Sequence, residues 1–371
     1  MGTGLCKIGY MGKKAVFKGM SGLILIIIFL SCILSCGMEG QNNRLGIDPY
    51  FITGSRASQE TLRDLFTLLA MEAPGVEEHF AVVREIVHQY VKQGEYRKLI
   101  NFLTSWVNNN PDDPYNTYYL YMIALAYIQE ESFPVAAMYL DLIIKNYPDL
   151  IVLNESIHLA VLNHLISIVK NPQQQVWYYE ELIDRFPNEI DLGAANFLLA
   201  QAYEQIGEWN NAIKAYSQFL PFVGTNIPGF PNSYLYARQL VDFNNSSKNW
   251  TYESLPALVD AIKYALTAGS PARLEQTRAQ VNFFARTWEQ DPGDERGMVD
   301  FHLADFMRVS RINFANDLDT SSNATEAFLR TWGWSQHISV WYLYFRKINF
   351  PADPEIHGRW EWAGVFYGEK F

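Results

Sequence analysis

A chain of 371 residues, 49% apolar and 19% charged, can build two or three domains with sizeable cores. It is too hydrophobic for a disordered protein. Its formal charge of −11 excludes an electrostatic grip on nucleic acid, and the three cysteines, Cys6, Cys32 and Cys36, leave the body beyond residue 36 without an internal disulfide or a thiolate metal site.

The first element in chain order is an apolar run, residues 23–34, ending in LSCILSC at 30–36. No flanking cysteine or histidine completes a zinc shell around Cys32 and Cys36, so the pair reads as two candidate points of lipid attachment. Lys7, Lys13, Lys14 and Lys18 precede the run without an acidic residue, and the small residues Ser35 and Gly37 flank Cys36. The run has the length of a secretory hydrophobic region and is short for a bilayer span. This segment resembles a bacterial lipoprotein signal, in which a peptidase cuts before a cysteine that carries acyl chains such as palmitate. Ile33-Leu34-Ser35-Cys36 matches that motif with Leu34 where a smaller residue is usual, and Phe29-Leu30-Ser31-Cys32 departs further. The resemblance implies a signal peptide over 1–35, lipidation at Cys36 and a tether over 36–56. It also implies a membrane-anchored lipoprotein of the bacterial cell envelope facing the periplasm. An uncleaved membrane anchor is the alternative. Removal of 1–35 leaves 25 basic against 40 acidic residues, a charge of −15, so membrane attachment would come from acyl chains and not from charge.

An amphipathic helix is expected over 57–72. Beyond it, YVKQGEYRKLINFL (90–103) and YEQIGEWNNAIKAYSQFL (203–220) share Tyr-x3-Gly-x-aromatic. Aligned on that glycine, one unit reads Ile86, Tyr90, Gly94, Tyr96, Leu99, Leu103 and Pro111. Another reads Leu199, Ala200, Tyr203, Gly207, Trp209, Ala212, Tyr216 and Leu220. Between them lie Ile123, Ala124, Tyr127, Phe133, Ala136 and Pro148, then a unit ending at Pro187. The pattern resembles the tetratricopeptide repeat, with an unrelated helical bundle as the alternative. It implies a mainly α solenoid of helical hairpins over 57–226, with units near 80–113, 117–150, 156–189 and 193–226 and the helix at 57–72 as a cap. Small residues at Ala124, Ala136, Ala200 and Ala212 would let paired helices approach closely. By the same resemblance a concave, partner-binding face falls on Arg84, His88, Lys92, Tyr118, Tyr121, Gln129, His164, Phe197, Gln201 and Glu204. Aromatic and polar groups so mixed suit a protein or peptide partner, although any one of these aromatics could instead be ordinary packing. The lysine and asparagine clamp that some members of the family use for carboxyl-terminal peptides is not found in the array.

Prolines and glycines over 221–233 and a polar stretch near 243–251 mark 227–251 as a linker. Helices are expected within 252–280 and 295–310, and a strand at VNFFARTW. Residues 252–371 then form a smaller α+β domain closing on three aromatic segments, EAFLRTWGW, SVWYLYFRKINF and RWEWAGVFYG. Period-two alternation puts Trp360, Trp362, Gly364 and Phe366 on one face of an antiparallel sheet, and Trp341, Leu343 and Phe345 on one face of the preceding strand. The ending resembles the closing strands of the NTF2-like fold, whose curled sheet makes a conical pocket; a small antiparallel barrel is the alternative. That resemblance would gather a polar cluster from Asp300, His302, Asp305, Arg308, His337 and Glu361.

No His-Glu-x-x-His, Gly-x-Ser-x-Gly, phosphate-cradling loop or EF-hand spacing occurs, so the sequence predicts a non-enzyme without metal or cofactor. The reading is a lipid-anchored envelope scaffold that binds a protein or peptide partner, touches the membrane through amino-terminal acyl chains and takes no nucleic acid. The alternatives are an accessory lipoprotein of a solute transporter or of outer-membrane protein assembly, and small-ligand binding or catalysis in an NTF2-like pocket.

Overall fold

A computed structural model describes residues 47–71, 75–290, 303–307, 311–335 and 338–370. The signal segment, Cys36 and the first part of the tether lie outside the described residues. Among the described residues no helix is long and apolar enough to cross a membrane. The chain divides into two compact units that meet in sequence at Glu131 and Ser132, inside the second expected repeat.

The first unit holds α1 (Arg56–Ala70), α2 (Val76–Gln93), α3 (Tyr96–Asn109) and α4 (Asn116–Gln129). Ser55 caps α1 by accepting the Ser58 N–H. Gly94 ends α2 at a left-handed φ of 70°, which costs glycine little and turns the chain straight into α3. The last part of the expected tether belongs to the fold. Tyr90 donates its hydroxyl to the Phe51 carbonyl at 2.9 Å, and Thr53 donates to Glu95 at 2.7 Å. The Phe51 ring packs against Phe66 and Phe102. Phe51 therefore anchors residues 48–55 by packing its ring on the helices, which a polar tether does not do.

The second unit opens with α5 (Phe133–Asn146) and continues with α6 (Ile157–Ile168), α7 (Pro172–Arg185), α8 (Leu192–Gln205) and α9 (Trp209–Phe219). Asn171 caps α7 with Pro172 at its first turn, and Asp191 caps α8. A small hairpin, β1 (Ile151–Val152) and β2 (Glu155–Ser156), joins α5 to α6. Its two turn residues, Leu153 and Asn154, have φ of 53° and 66°, as a tight hairpin turn of this twist requires. The helices fall where the repeat spacing put them. Ala124, Ala136, Ala200 and Ala212 are all fully buried, and in the second unit Ala200 and Ala212 belong to the closely packed pair α8 and α9.

The expected linker is not one. It contains α10 (Ser233–Asn245), which packs on α9 and buries Ala237, Val241 and Phe243, while Ile227 and Trp250 on either side are buried as well. Residues this apolar cannot span a solvated connection, and their helical spacing turns the segment into core.

Helices α11 (Leu255–Thr267) and α12 (Pro271–Thr277), strand β3 (Phe284–Thr287) and a short α13 (Leu303–Met307) follow. The sheet is completed by β4 (Asn313–Phe314), β5 (Glu326–Trp332), β6 (Val340–Lys347) and β7 (Trp360–Tyr367), in the order β3-β7-β6-β5-β4. The meander β5-β6-β7 is antiparallel as expected, and β3 adds in parallel to β7. One expectation fails. Phe345 pairs with Trp362 while Tyr344 pairs with Gly364, so Ala363 is an extra residue in a bulge. A bulge of one residue reverses the alternation beyond it. Trp360 and Trp362 therefore share the face of Phe345, Leu343 and Trp341, whereas Gly364 and Phe366 lie on the face of Tyr344 and Tyr342. Both faces are filled. Leu329, Leu343, Phe345, Trp362 and Val365 are fully buried on one, and Phe328, Tyr342 and Phe366 form an aromatic cluster on the other.

Candidate partner-binding site

In the first unit, burial of Val83, Ile86, Val87 and Tyr90 fixes which side of α2 faces the core. Arg84, His88 and Lys92, spaced four apart, consequently share one exposed stripe. The stripe is braced at one end. The Arg84 guanidinium lies 5.7 Å from the Phe80 ring centroid. Phe80 in turn stacks on Tyr115 at 3.9 Å and meets Tyr118 edge-on at 5.2 Å. Tyr118 is thus half-buried packing between α2 and α4, and burial pushes its phenol up while Arg84 opposes the shift. Tyr121 is half-buried, and Gln129 is exposed at the end of α4. Of the six expected residues in this unit, Arg84, His88, Lys92 and Gln129 offer polar atoms to solvent, and Tyr118 serves the core first.

In the second unit, His164 on α6 is half-buried, and desolvation lowers its pKa. Phe197 does not belong to an exposed face. It is only 1% exposed and packs edge-on against Tyr216, Phe219 and Phe230 at 5.2–5.5 Å. The large ring falls on the inner side of α8, where α9 and the loop before α10 close over it.

Gln201 and Glu204, one and two turns further along α8, join a network that ties three helices together. Gln201 donates to the Tyr216 hydroxyl. Tyr216 donates to Glu204 at 2.9 Å, and the Tyr236 hydroxyl of α10 reaches both Glu204 oxygens at 2.9 and 3.1 Å. Burial raises the Glu204 carboxyl above its ordinary range, against the two hydroxyls that lower it. Burial likewise pushes both phenols up, helped by the Glu204 charge. These are structural hydrogen bonds on partly desolvated groups.

Beside the network opens a cavity of about 410 Å³, lined among others by Phe197, Gln201, Phe230, Pro231 and Tyr236. Phe197, itself almost fully buried, and the loop 229–233, which turns at Gly229 with φ of 85°, both line it. Phe230 and Tyr236 remain about two-fifths exposed at the mouth. An apolar lining with a polar rim is suited to one bulky side chain of an extended segment. Tyr216, Phe230 and Tyr236 were missed from sequence. For Tyr236 the signal was available in the Tyr234-Ala237-Val241 spacing of α10. Phe230 stands in a proline- and glycine-rich stretch that reads as plain loop.

Of the polar cluster expected in an NTF2-like pocket, Asp300, His302, Arg308 and His337 lie outside the described residues. Asp305 is exposed on α13. Glu361 is 1% exposed, accepting from the Trp250 indole at 2.9 Å and from Arg346 Nε at 2.7 Å. Among the described residues no three or more histidine, cysteine or carboxylate side chains converge to hold a metal ion.

A tetratricopeptide-repeat family model matches residues 194–220, which is the α8–α9 hairpin that builds one side of the cavity. No curated protein matches the chain. Helical hairpins of this family commonly mediate protein–protein interaction, and the chain carries a helical repeat region followed by a small mixed sheet.

Proposed function

We propose that the chain is a lipid-anchored scaffold of a bacterial envelope whose helical repeats hold an extended protein or peptide partner. The observation that carries this reading is the open cavity over Phe197, placed on the hairpin that the repeat model matches. It receives one large apolar side chain, while Gln201 and Tyr236 stand at the rim for backbone groups. The Arg84, His88 and Lys92 stripe offers the first unit as a second surface, suited to acidic or carbonyl-rich segments. The amino-terminal sequence supports the anchoring: four lysines, an apolar run and Cys36 followed by a glycine.

A displayed library of unstructured peptides, panned against the full chain, tests the binding. Enriched clones should share one bulky apolar residue flanked by polar ones. Phe230→Ala, at a partly exposed loop residue, should weaken them about tenfold or more, roughly 1.4 kcal/mol, with the helical fold retained by circular dichroism. Enrichment without a shared apolar residue, or equal binding by the variant, would sink the assignment. A Tyr118 and Tyr121 double substitution is a poorer probe, because Tyr118 packs against Phe80 and its removal disturbs the fold.

A further inference from the structure

A second cavity, of about 200 Å³, lies in the carboxyl-terminal unit between α10 and the β6–β7 pair. One wall is Leu240 and Phe243 of α10, and Ile348 and Phe350 face them from the segment after β6. Arg346 and Lys347, the last residues of β6, also line it.

The polar end of this cavity is built around a buried ion pair. Glu361 is 1% exposed, and both of its oxygens are engaged, one by Arg346 Nε at 2.7 Å and the other by the buried Trp250 indole at 2.9 Å. A carboxylate out of water is tolerated only when so satisfied. The contact uses the inner edge of the guanidinium alone. Among the described residues the two terminal nitrogens of Arg346 have no hydrogen-bond partner, and its side chain remains 37% exposed. Glu361 therefore fixes the fork and leaves its outer N–H groups presented to the cavity. The Arg346 charge offsets that of Glu361. Among the described residues no carboxylate besides Glu361 lines the cavity.

We propose that this cavity binds a carboxylate carried on a small apolar body, held by the outer edge of Arg346. A planar guanidinium matches a carboxylate with two parallel hydrogen bonds, a geometry an ammonium does not reproduce. At about 30 Å³ per water, the space amounts to roughly six or seven waters, which limits the body to a short aliphatic chain, a single ring or one terminal side chain. The carboxylate could belong to a free acid or to the end of a peptide, and the site chemistry is the same for both. This assignment does not depend on the cavity over Phe197.

Titration calorimetry on the full chain tests it with hexanoate, benzoate, hexanamide, and a tripeptide ending in phenylalanine with either a free or an amidated carboxyl end. At least one of the acids should bind, and its amide should bind at least tenfold more weakly. Removal of Arg346 alone would strand Glu361, so the informative variant is Arg346→Met with Glu361→Gln, which retires the pair and keeps an acceptor for Trp250. It should lose at least tenfold in affinity at a near-native melting temperature. Leu240→Trp, which fills the apolar end, should do the same. Binding of the free acids assigns a small-molecule site, and binding of the peptide acid alone assigns a peptide terminus. Failure of every acid to bind overturns the proposal. So does amide binding equal to acid binding, or undiminished binding by both variants.

Discussion

Glu204 shows how a residue placed correctly by pattern can have an unexpected task. The repeat alignment put it on the partner-facing side of α8, and the structure spends its carboxylate on Tyr216 and Tyr236. Burial raises its pKa above the ordinary 4.5, so the folded state holds this proton more tightly than the unfolded chain does. The stability it contributes is complete below the unfolded value and is lost as pH rises through the folded one. Glu204→Gln removes that dependence. Melting curves taken from about pH 4 to pH 7 should show the wild type losing ground to the variant as pH rises; a difference that moves the other way refutes the assignment. Phe197 and Tyr118 teach the complementary lesson. Helical periodicity says which side of a helix a ring occupies, but whether that side stays open depends on residues distant in sequence. Phe230 and the Tyr115–Phe80 stack closed these two.

At the scale of elements, the helical hairpins were legible because their signals are local. Gly94 and Gly207 end helices at positive φ, and Asn171, Asp191 and Ser254 cap them. Buried alanines mark the close approaches. Helix α10 was hidden behind the prolines and glycines of 224–231, and its apolar spacing was outweighed by that loop composition. The bulge at Ala363 could not be read at all, since it exists only in the pairing of β7 with β6. That bulge makes a prediction available. It turns Gly364 toward Phe284 on the neighbouring strand, where a Cβ would meet ring atoms at 2.6–2.7 Å. The ring cannot retreat easily, because Arg286 covers it at 4.2 Å and Phe366 packs at 5.1 Å. Gly364→Val should therefore cost about 1–3 kcal/mol by overpacking. In a Phe284→Ala background the same change should cost much less, a coupling that a double-mutant cycle in urea detects. Additive losses would show that the ring and the glycine do not compete for one space.

For the whole molecule, charge and anchoring have to be considered together. A body that carries −15 once residues 1–35 are removed is repelled by an anionic membrane surface, and each acidic residue near it works against adsorption. Under the proposed anchoring, attachment must therefore come from acyl chains, at about 0.8 kcal/mol for each buried methylene, with more than one chain needed for stable residence. The structured body begins close behind the anchor. Phe51 is already packed into the first unit, so only residues 37–47 or so separate Cys36 from it. At most about 3.5 Å per residue, that segment keeps the first unit within roughly 40 Å of the bilayer and places its α2 stripe near the surface, not far out in the aqueous space. Detergent phase partitioning of the full chain expressed in a bacterial host checks the premise. The wild type and Cys32→Ser should enter the detergent phase, and Cys36→Ser should stay in the aqueous phase or retain residues 1–35. Acylation found on Cys32, or a Cys36→Ser protein that is cleaved and still enters detergent, would remove the lipid from Cys36 and the tether geometry with it.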